Sequence, residues 1–168
     1  MNKAYQAKRI FWHNLKNFDK AKAHPFGDEK ILVAGMEFVL CDSNGKPKNI
    51  FLAVNSCLCS QMCYEADTKA GIGVISGQHN KIFRNIITDI LNESVNLIYN
   101  MHCCKHLPAY PKLNFVNFYV LGRKEKFCKT LTYAEIHYPE HPYYPVFIYF
   151  RQLISEMRKT VMLADKYN

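Results

Sequence analysis

The chain has 168 residues, 49% hydrophobic and 14% aromatic, with 22 Lys and Arg against 14 Asp and Glu for a formal net charge of +8. That length suits one domain, residues 1–168, and the apolar content is enough to build a core, which excludes a disordered chain. No apolar run approaches the roughly 18 residues of a membrane helix, and the opening MNKAYQAKRIFWHNLK is charged throughout, unlike a secretory leader. The expectation is a cytoplasmic protein with no membrane contact. Its basic balance favours an anionic partner: nucleic acid, a nucleotide or an acidic protein.

Ala7, Phe11, Leu15 and Phe18 share one face of a helix predicted over about Ala4–Lys20, ended by the loop Ala23–Gly27. Ile31–Leu40 and Ile50–Val54 read as strands joined around Asn44-Gly45, two residues that tolerate the positive φ of a tight hairpin. Met62, Ala66, Ala70 and Val74 recur at helical spacing, which predicts a helix over Met62–Ile75 despite Gly71 and Gly73. Phe83, Ile86, Ile87, Ile90 and Leu91 predict a helix over Lys81–Leu91, followed by a short buried strand at Val95–Tyr99. His102–Pro111 reads as a loop or a single helical turn.

Leu113–Leu121 and Lys126–His137 read as strands, and Tyr138–Pro142 as a breaker. Phe150, Leu153, Ile154, Met157 and Val161 form the apolar face of a last helix. This order predicts an α/β (α+β) fold: a central mixed sheet that opens with an antiparallel hairpin, with helices packed against it. The aromatics of the later strands and last helix read as core and interface residues before base-stacking platforms.

The seven cysteines are an odd number without a leader, which suits a reducing compartment and not a disulfide framework. Cys41 and Cys128 read as small buried hydrophobes. The other five fall into two clusters, Cys57-Leu58-Cys59-Ser60-Gln61-Met62-Cys63-Tyr64-Glu65 and His102-Cys103-Cys104-Lys105-His106. Thiolate and imidazole are the natural ligands of zinc, and zinc sites draw them from two distant clusters. Cys103 and His106, spaced as Cys-x-x-His, can converge on one ion, and a thiolate from the first cluster makes three ligands. The fourth position is then open to water, as in a catalytic zinc. Glu65, two residues after Cys63 at the start of a helix, is placed to face that water and move protons.

Ile31–Leu40, Asn44-Gly45-Lys46, Ala53-Val54-Asn55 and Cys63-Tyr64-Glu65-Ala66 resemble the opening of the cytidine deaminase-like superfamily. The resemblance covers about Ile31–Gly77 and the second cluster. It implies a zinc-dependent hydrolytic deaminase acting on a cytosine- or adenine-type base in a nucleoside or a nucleic acid. It implies Cys63, Cys103 and His106 as the zinc ligands, Glu65 as the proton shuttle and Asn55 as a contact to sugar or base. The pattern departs where His102 stands in place of the usual Pro and where His106 replaces the last Cys. Cys104 is an alternative ligand. No acidic residue directly follows Asn55, which favours a substrate other than free cytidine.

Three other readings stand beside this one. A closed structural zinc site would draw on Cys57, Cys59 or Cys63 with His102, Cys103 or His106. A thiol nucleophile would pair Cys59 or Cys63 with His79 or His106. A non-enzymatic binding domain, of the effector, inhibitor or immunity type, would bury its cysteines and meet an acidic protein partner through its basic face.

Overall fold

The computed structural model describes residues 2–18, 31–67, 72–77, 81–106 and 108–166. The loop expected at Ala23–Gly27 and His79 lie outside the described residues. Helix α1 (Lys3–His13) starts at Asn2, whose side-chain oxygen accepts from the Ala4 and Tyr5 N–H groups. A single 3-10 turn (Leu15–Phe18) comes next. Strands β1 (Ile31–Cys41), β2 (Pro47–Asn55), β3 (Ser60–Glu65) and β4 (Ile72–Gly77) then form a meander. Helix α2 (Lys81–Leu97) leads through a 3-10 turn (Ile98–Asn100) to the two-residue β5 (His102–Cys103). After that come β6 (Phe115–Gly122), β7 (Lys126–Thr132), the short α3 (Tyr133–Ile136) and α4 (Tyr144–Lys166).

Among the described residues the strands form one seven-stranded sheet in the order β4-β3-β2-β1-β6-β7-β5. The α+β class and the opening hairpin are present: Val33 pairs with Asn55 and Cys41 with Pro47, around a turn in which Gly45 has φ +74°. Every strand pair is antiparallel, where a mixed sheet was expected. The long crossover through α2 returns β6 to the free edge of β1 in the opposite direction.

Three local expectations are corrected. Met62–Ile75 is not a helix but the hairpin β3–β4, with Met62 opposite Ile75 and Tyr64 opposite Gly73. The β-branched Ile72, Val74 and Ile75 suit a strand. A side chain on Gly73 would collide with the Tyr64 ring, so the glycine that weakens a helix makes room for an aromatic across the strand pair. Val95–Tyr99 is the end of α2 and its 3-10 turn, because a five-residue apolar run carries no period of its own. The strand expected over Lys126–His137 stops at Thr132, where Thr132 and Glu135 exchange hydrogen bonds as a capping box and open α3.

Alternation sorts the core onto two faces. Met36, Phe38, Leu52, Met62, Phe118 and Val120 meet α2 and α4 on one side. Phe51, Ala53, Cys63, Tyr119 and Leu121 face α1 on the other, against Tyr5 and Trp12. The central β1 is therefore buried on both faces from Ile31 to Val39, which is why it reads as an unbroken apolar run. The Tyr119 ring lies against the bare backbone of Gly35, its partner across the β1–β6 ladder.

The buried face of α1 is Tyr5, Arg9, Trp12 and His13, while Ala7 and Phe11 are exposed. Arg9 reaches the fully buried Glu37 of β1 through Nε at 2.6 Å and Nη2 at 2.8 Å. Tyr5 Oη and Asn117 Nδ2 also donate to Glu37, at 3.3 and 3.4 Å. Arg9 Nη2 further donates to the Pro108 carbonyl at 2.6 Å, and its guanidinium stacks on Tyr110 at 4.2 Å. Removing one member of such a pair leaves the other charge buried alone, so Glu37→Ala should cost about 3–5 kcal/mol in urea unfolding. Replacing Arg9 and Glu37 together by methionine should recover most of that loss.

His13 is buried against the Tyr119 ring, with centroids 4.0 Å apart and no partner for Nε2. Burial, with Arg9 and Lys126 nearby, lowers its pKa to about 3. The fold therefore favours neutral His13, whereas the unfolded chain takes up the proton below about 6.5. This contribution is complete above that pH and falls as pH drops toward about 3, at up to about 1.4 kcal/mol per pH unit. Unfolding measured between pH 7 and 4 should show a shallower acid limb in His13→Phe than in wild type.

Candidate functional site

The residues expected to hold zinc are placed far apart. Cys63 lies in the middle of β3, fully buried on the α1 face. Cys103 is exposed on β5, and His106 is exposed three residues later. β3 and β5 are separated by β2, β1, β6 and β7. At about 4.8 Å per strand the two cysteines sit roughly 24 Å apart across the sheet. Two ligands of one tetrahedral ion need sulfurs within about 4 Å. Among the described residues no group of three His, Cys, Asp or Glu side chains is gathered as a metal site. The chemistry of Cys63 agrees: burial pushes its thiol up to about 12, and Gln61 Oε1 is its neighbour at 3.7 Å. The residues present do not fit the zinc site that the resemblance implies. The same separation applies to a structural site shared between the clusters.

Glu65 and Asn55 have local duties instead. Glu65 ends β3 and accepts from Asn49 N–H at 3.0 Å, Asn49 Nδ2 at 2.8 Å and Asn2 N–H at 3.5 Å. Burial raises its pKa, but these hydrogen bonds outweigh burial and hold it below the usual carboxylate range. It ties β2 to the start of α1. Asn55 Oδ1 accepts from the Cys57 and Cys59 N–H groups at 3.0 and 3.1 Å, closing the turn in which Leu58 has φ 59°. Cys57 and Cys59 are carried on that turn, the first exposed and the second half-buried. Of the later aromatics, Phe118, Tyr119, Tyr143, Phe147 and Phe150 are core.

What the structure does assemble is a groove on the α4 side of the sheet. Two clefts of about 500 and 430 Å³ lie on either side of Ile154 and Arg158, and both are floored by Phe38 and Leu40 of β1. The first continues over Ile50, Met62, Tyr64 and Ile75. Its rim carboxylates are already engaged: Asp67 and Asp42 with Lys48 at 2.6 and 3.8 Å, and Glu65 with Asn49. The second runs between Met36, Tyr133 and the α4 residues Arg151, Ser155, Arg158 and Lys159, and no carboxylate is among its described lining residues.

Helical geometry explains this stripe. Val146, Phe147, Phe150, Leu153 and Met157 bury one side of α4, and Arg151, Ile154 and Arg158 lie along the adjacent side. The sequence places Ile154 on the apolar face of the last helix. The signal for the groove was the seven-residue spacing of Arg151 and Arg158 along one helix side. Among the described residues, no helix is long and apolar enough to cross a membrane. Searches of protein-family models, curated proteins and solved structures gave no match to this chain.

Glu65→Gln tests what Glu65 does. As a strand-to-helix tie it should lose about 1 kcal/mol of stability at pH 7, the weight of a partly exposed charge-assisted hydrogen bond. Because its folded pKa is depressed, that contribution is present above about 4.3 and is lost as pH falls through the lower folded value. Urea midpoints of wild type and Glu65→Gln should therefore differ at pH 7 and converge near pH 3.

Proposed function

We propose that the chain is a non-catalytic binding domain that seats an acidic, apolar segment of a partner protein in the groove beside α4. The observation that carries this reading is the second cleft: Arg151 and Arg158 stand over an apolar floor with no carboxylate among the described lining residues, while Lys159 beside them is already paired with Glu156 at 2.6 Å. The guanidinium groups would meet carboxylates with directed hydrogen bonds. Met36, Phe38, Leu40 and Ile154 would take leucine-like anchors. The chain's net charge of +8 adds long-range attraction for such a partner.

A nucleic acid fits the same charge less well. Single strands need aromatic faces on which bases stack. The aromatics here are Phe38, which is core, and Tyr133, whose ring already meets Phe147 edge-on at 5.7 Å. Deamination loses its support with the separation of Cys63 from Cys103 and the engagement of Glu65 by Asn49.

The test uses a labelled peptide of alternating Glu and Leu and an oligothymidine of equal charge, with binding measured by fluorescence anisotropy. The peptide should bind more tightly, and its affinity should fall with added salt. Arg151→Glu with Arg158→Glu should weaken it by roughly tenfold or more with the circular dichroism spectrum unchanged. Equal or tighter binding of oligothymidine, or no effect of the charge reversal, would sink the proposal. Ammonia released from cytidine or single-stranded DNA by the zinc-supplemented protein would return the deaminase reading.

A further inference from the structure

The sheet edge opposite the groove brings two thiols together. In the β5–β7 ladder His102 pairs with Cys128 and Cys103 with Phe127. The Cys104 N–H extends that ladder, donating to the Lys126 carbonyl at 2.7 Å. Alternation along the strand puts Cys104 on the same face as His102 and Cys128 and sends Cys103 to the opposite face with Phe127. Cys128 packs against the α1-side core and Phe127 belongs to the other one. The Cys104 thiol turns back to donate to the His102 carbonyl at 3.6 Å, toward the residue directly opposite Cys128. Burial pushes the Cys104 thiol up to about 12, and the adjacent Cys128 thiol adds to the shift. Two half-buried sulfurs therefore share one poorly solvated space.

We propose that Cys104 and Cys128 close reversibly to a disulfide, clamping the segment after β5 onto β7. Diagonal neighbours across an antiparallel ladder have Cα atoms about 7–8 Å apart, just beyond the upper limit of about 6.8 Å for a disulfide. Cys104 lies beyond the end of β5 at Cys103, where the chain can shift by the roughly 1 Å needed to bring the pair within disulfide range. With oxidised glutathione as the oxidant, one protein thiolate attacks it and expels a first glutathione thiolate, leaving a mixed disulfide. The second protein thiolate attacks the protein sulfur of that mixed disulfide and expels the second glutathione. Two electrons pass from the protein thiols to glutathione disulfide, and their two protons end on the two released glutathiones.

The clamp bears on the segment beyond Cys104. Pro108 and Ala109 give their carbonyls to Arg9 and Asn117, at 2.6 and 2.7 Å, and Tyr110 lies on the Arg9 guanidinium. Closing the disulfide fixes the start of a segment whose middle already holds α1 to the sheet.

The experiment takes the reduced full chain with Cys41→Ser, Cys57→Ser and Cys59→Ser, which removes the exposed thiol of β1 and those of the β2–β3 turn, and treats it with oxidised glutathione. Intact mass and peptide mapping then read the product. The expected product has lost two hydrogens from the Cys104–Cys128 pair, carries no glutathione on either and yields a linked peptide joining them. Adding Cys103→Ser should leave the reaction intact. Adding Cys104→Ser or Cys128→Ser should abolish it and leave a glutathione adduct on the remaining partner. Amide exchange across residues 102–110 should slow on closure by roughly threefold or more. A bridge that survives Cys104→Ser, a link through Cys103, or adducts without closure would overturn the proposal. Should Cys128→Ser fail to fold, the mapped linkage in the parent chain decides.

Discussion

Glu37 sits in the middle of the central strand with its carboxylate out of water, and the α1 face of the molecule is arranged around that charge. Four donor contacts converge on it from two elements: two from Arg9 and one from Tyr5 on α1, and one from Asn117 on β6. A carboxylate buried this way is tolerated only while its partners stay in place, so the pair fixes where α1 lies along the sheet. The constraint spreads outward. Thr130 holds the Asn117 side-chain oxygen at 2.7 Å, and Asn117 holds Ala109. Tyr110 covers Arg9, and Tyr119 fills the space that Gly35 leaves open. The smaller of the two cores is thereby kept in one register by directional bonds.

This clasp explains why the first helix was half legible in the sequence. Its existence was readable from apolar spacing, but its buried face was not, because one of the residues turned inward is an arginine. An apolar template passes over Arg9 and settles on Phe11, which is 47% exposed. Only the charge of Glu37, inside an otherwise apolar strand, marked a need for a buried cation. The β1–β2 hairpin was legible because Asn44-Gly45 sets its turn and both strands are apolar. The β3–β4 hairpin was not. Met62, Ala66, Ala70 and Val74 match a helix period, while the deciding feature, Tyr64 lying over Gly73, exists only once the strands are paired.

The cysteine clusters show a different limit. Each is local, and its spacing alone carries a ligand pattern. Whether two clusters meet depends on strand order, which composition and periodicity do not encode. β1 through β4 run as a meander away from the centre on one side, and β6, β7 and β5 run away from it on the other. The chain thus carries Cys63 and Cys103 to opposite flanks. The same order brings together Cys104 and Cys128, two residues that no local pattern joins.

The groove beside α4 arises from widths. Seven strands at about 4.8 Å make a sheet about 34 Å across. Two helices of about 10 Å each cover roughly 20 Å of it. The long helices α2 and α4 pack against each other over one face, so that face has more apolar floor than they can roof. Among the described residues the uncovered part falls at the end of β1, where Leu40 is 38% exposed, and along β3 and β4. An apolar floor left open to water favours association. The helix that borders it presents Arg151 and Arg158 along the opening in place of further apolar cover. Guanidinium groups there keep the edge solvated, and in the proposed complex they would meet the carboxylates of an acidic, apolar partner segment. In that proposal the geometry that leaves the sheet under-covered also sets, through the charge of α4, the chemistry of the segment that would complete it.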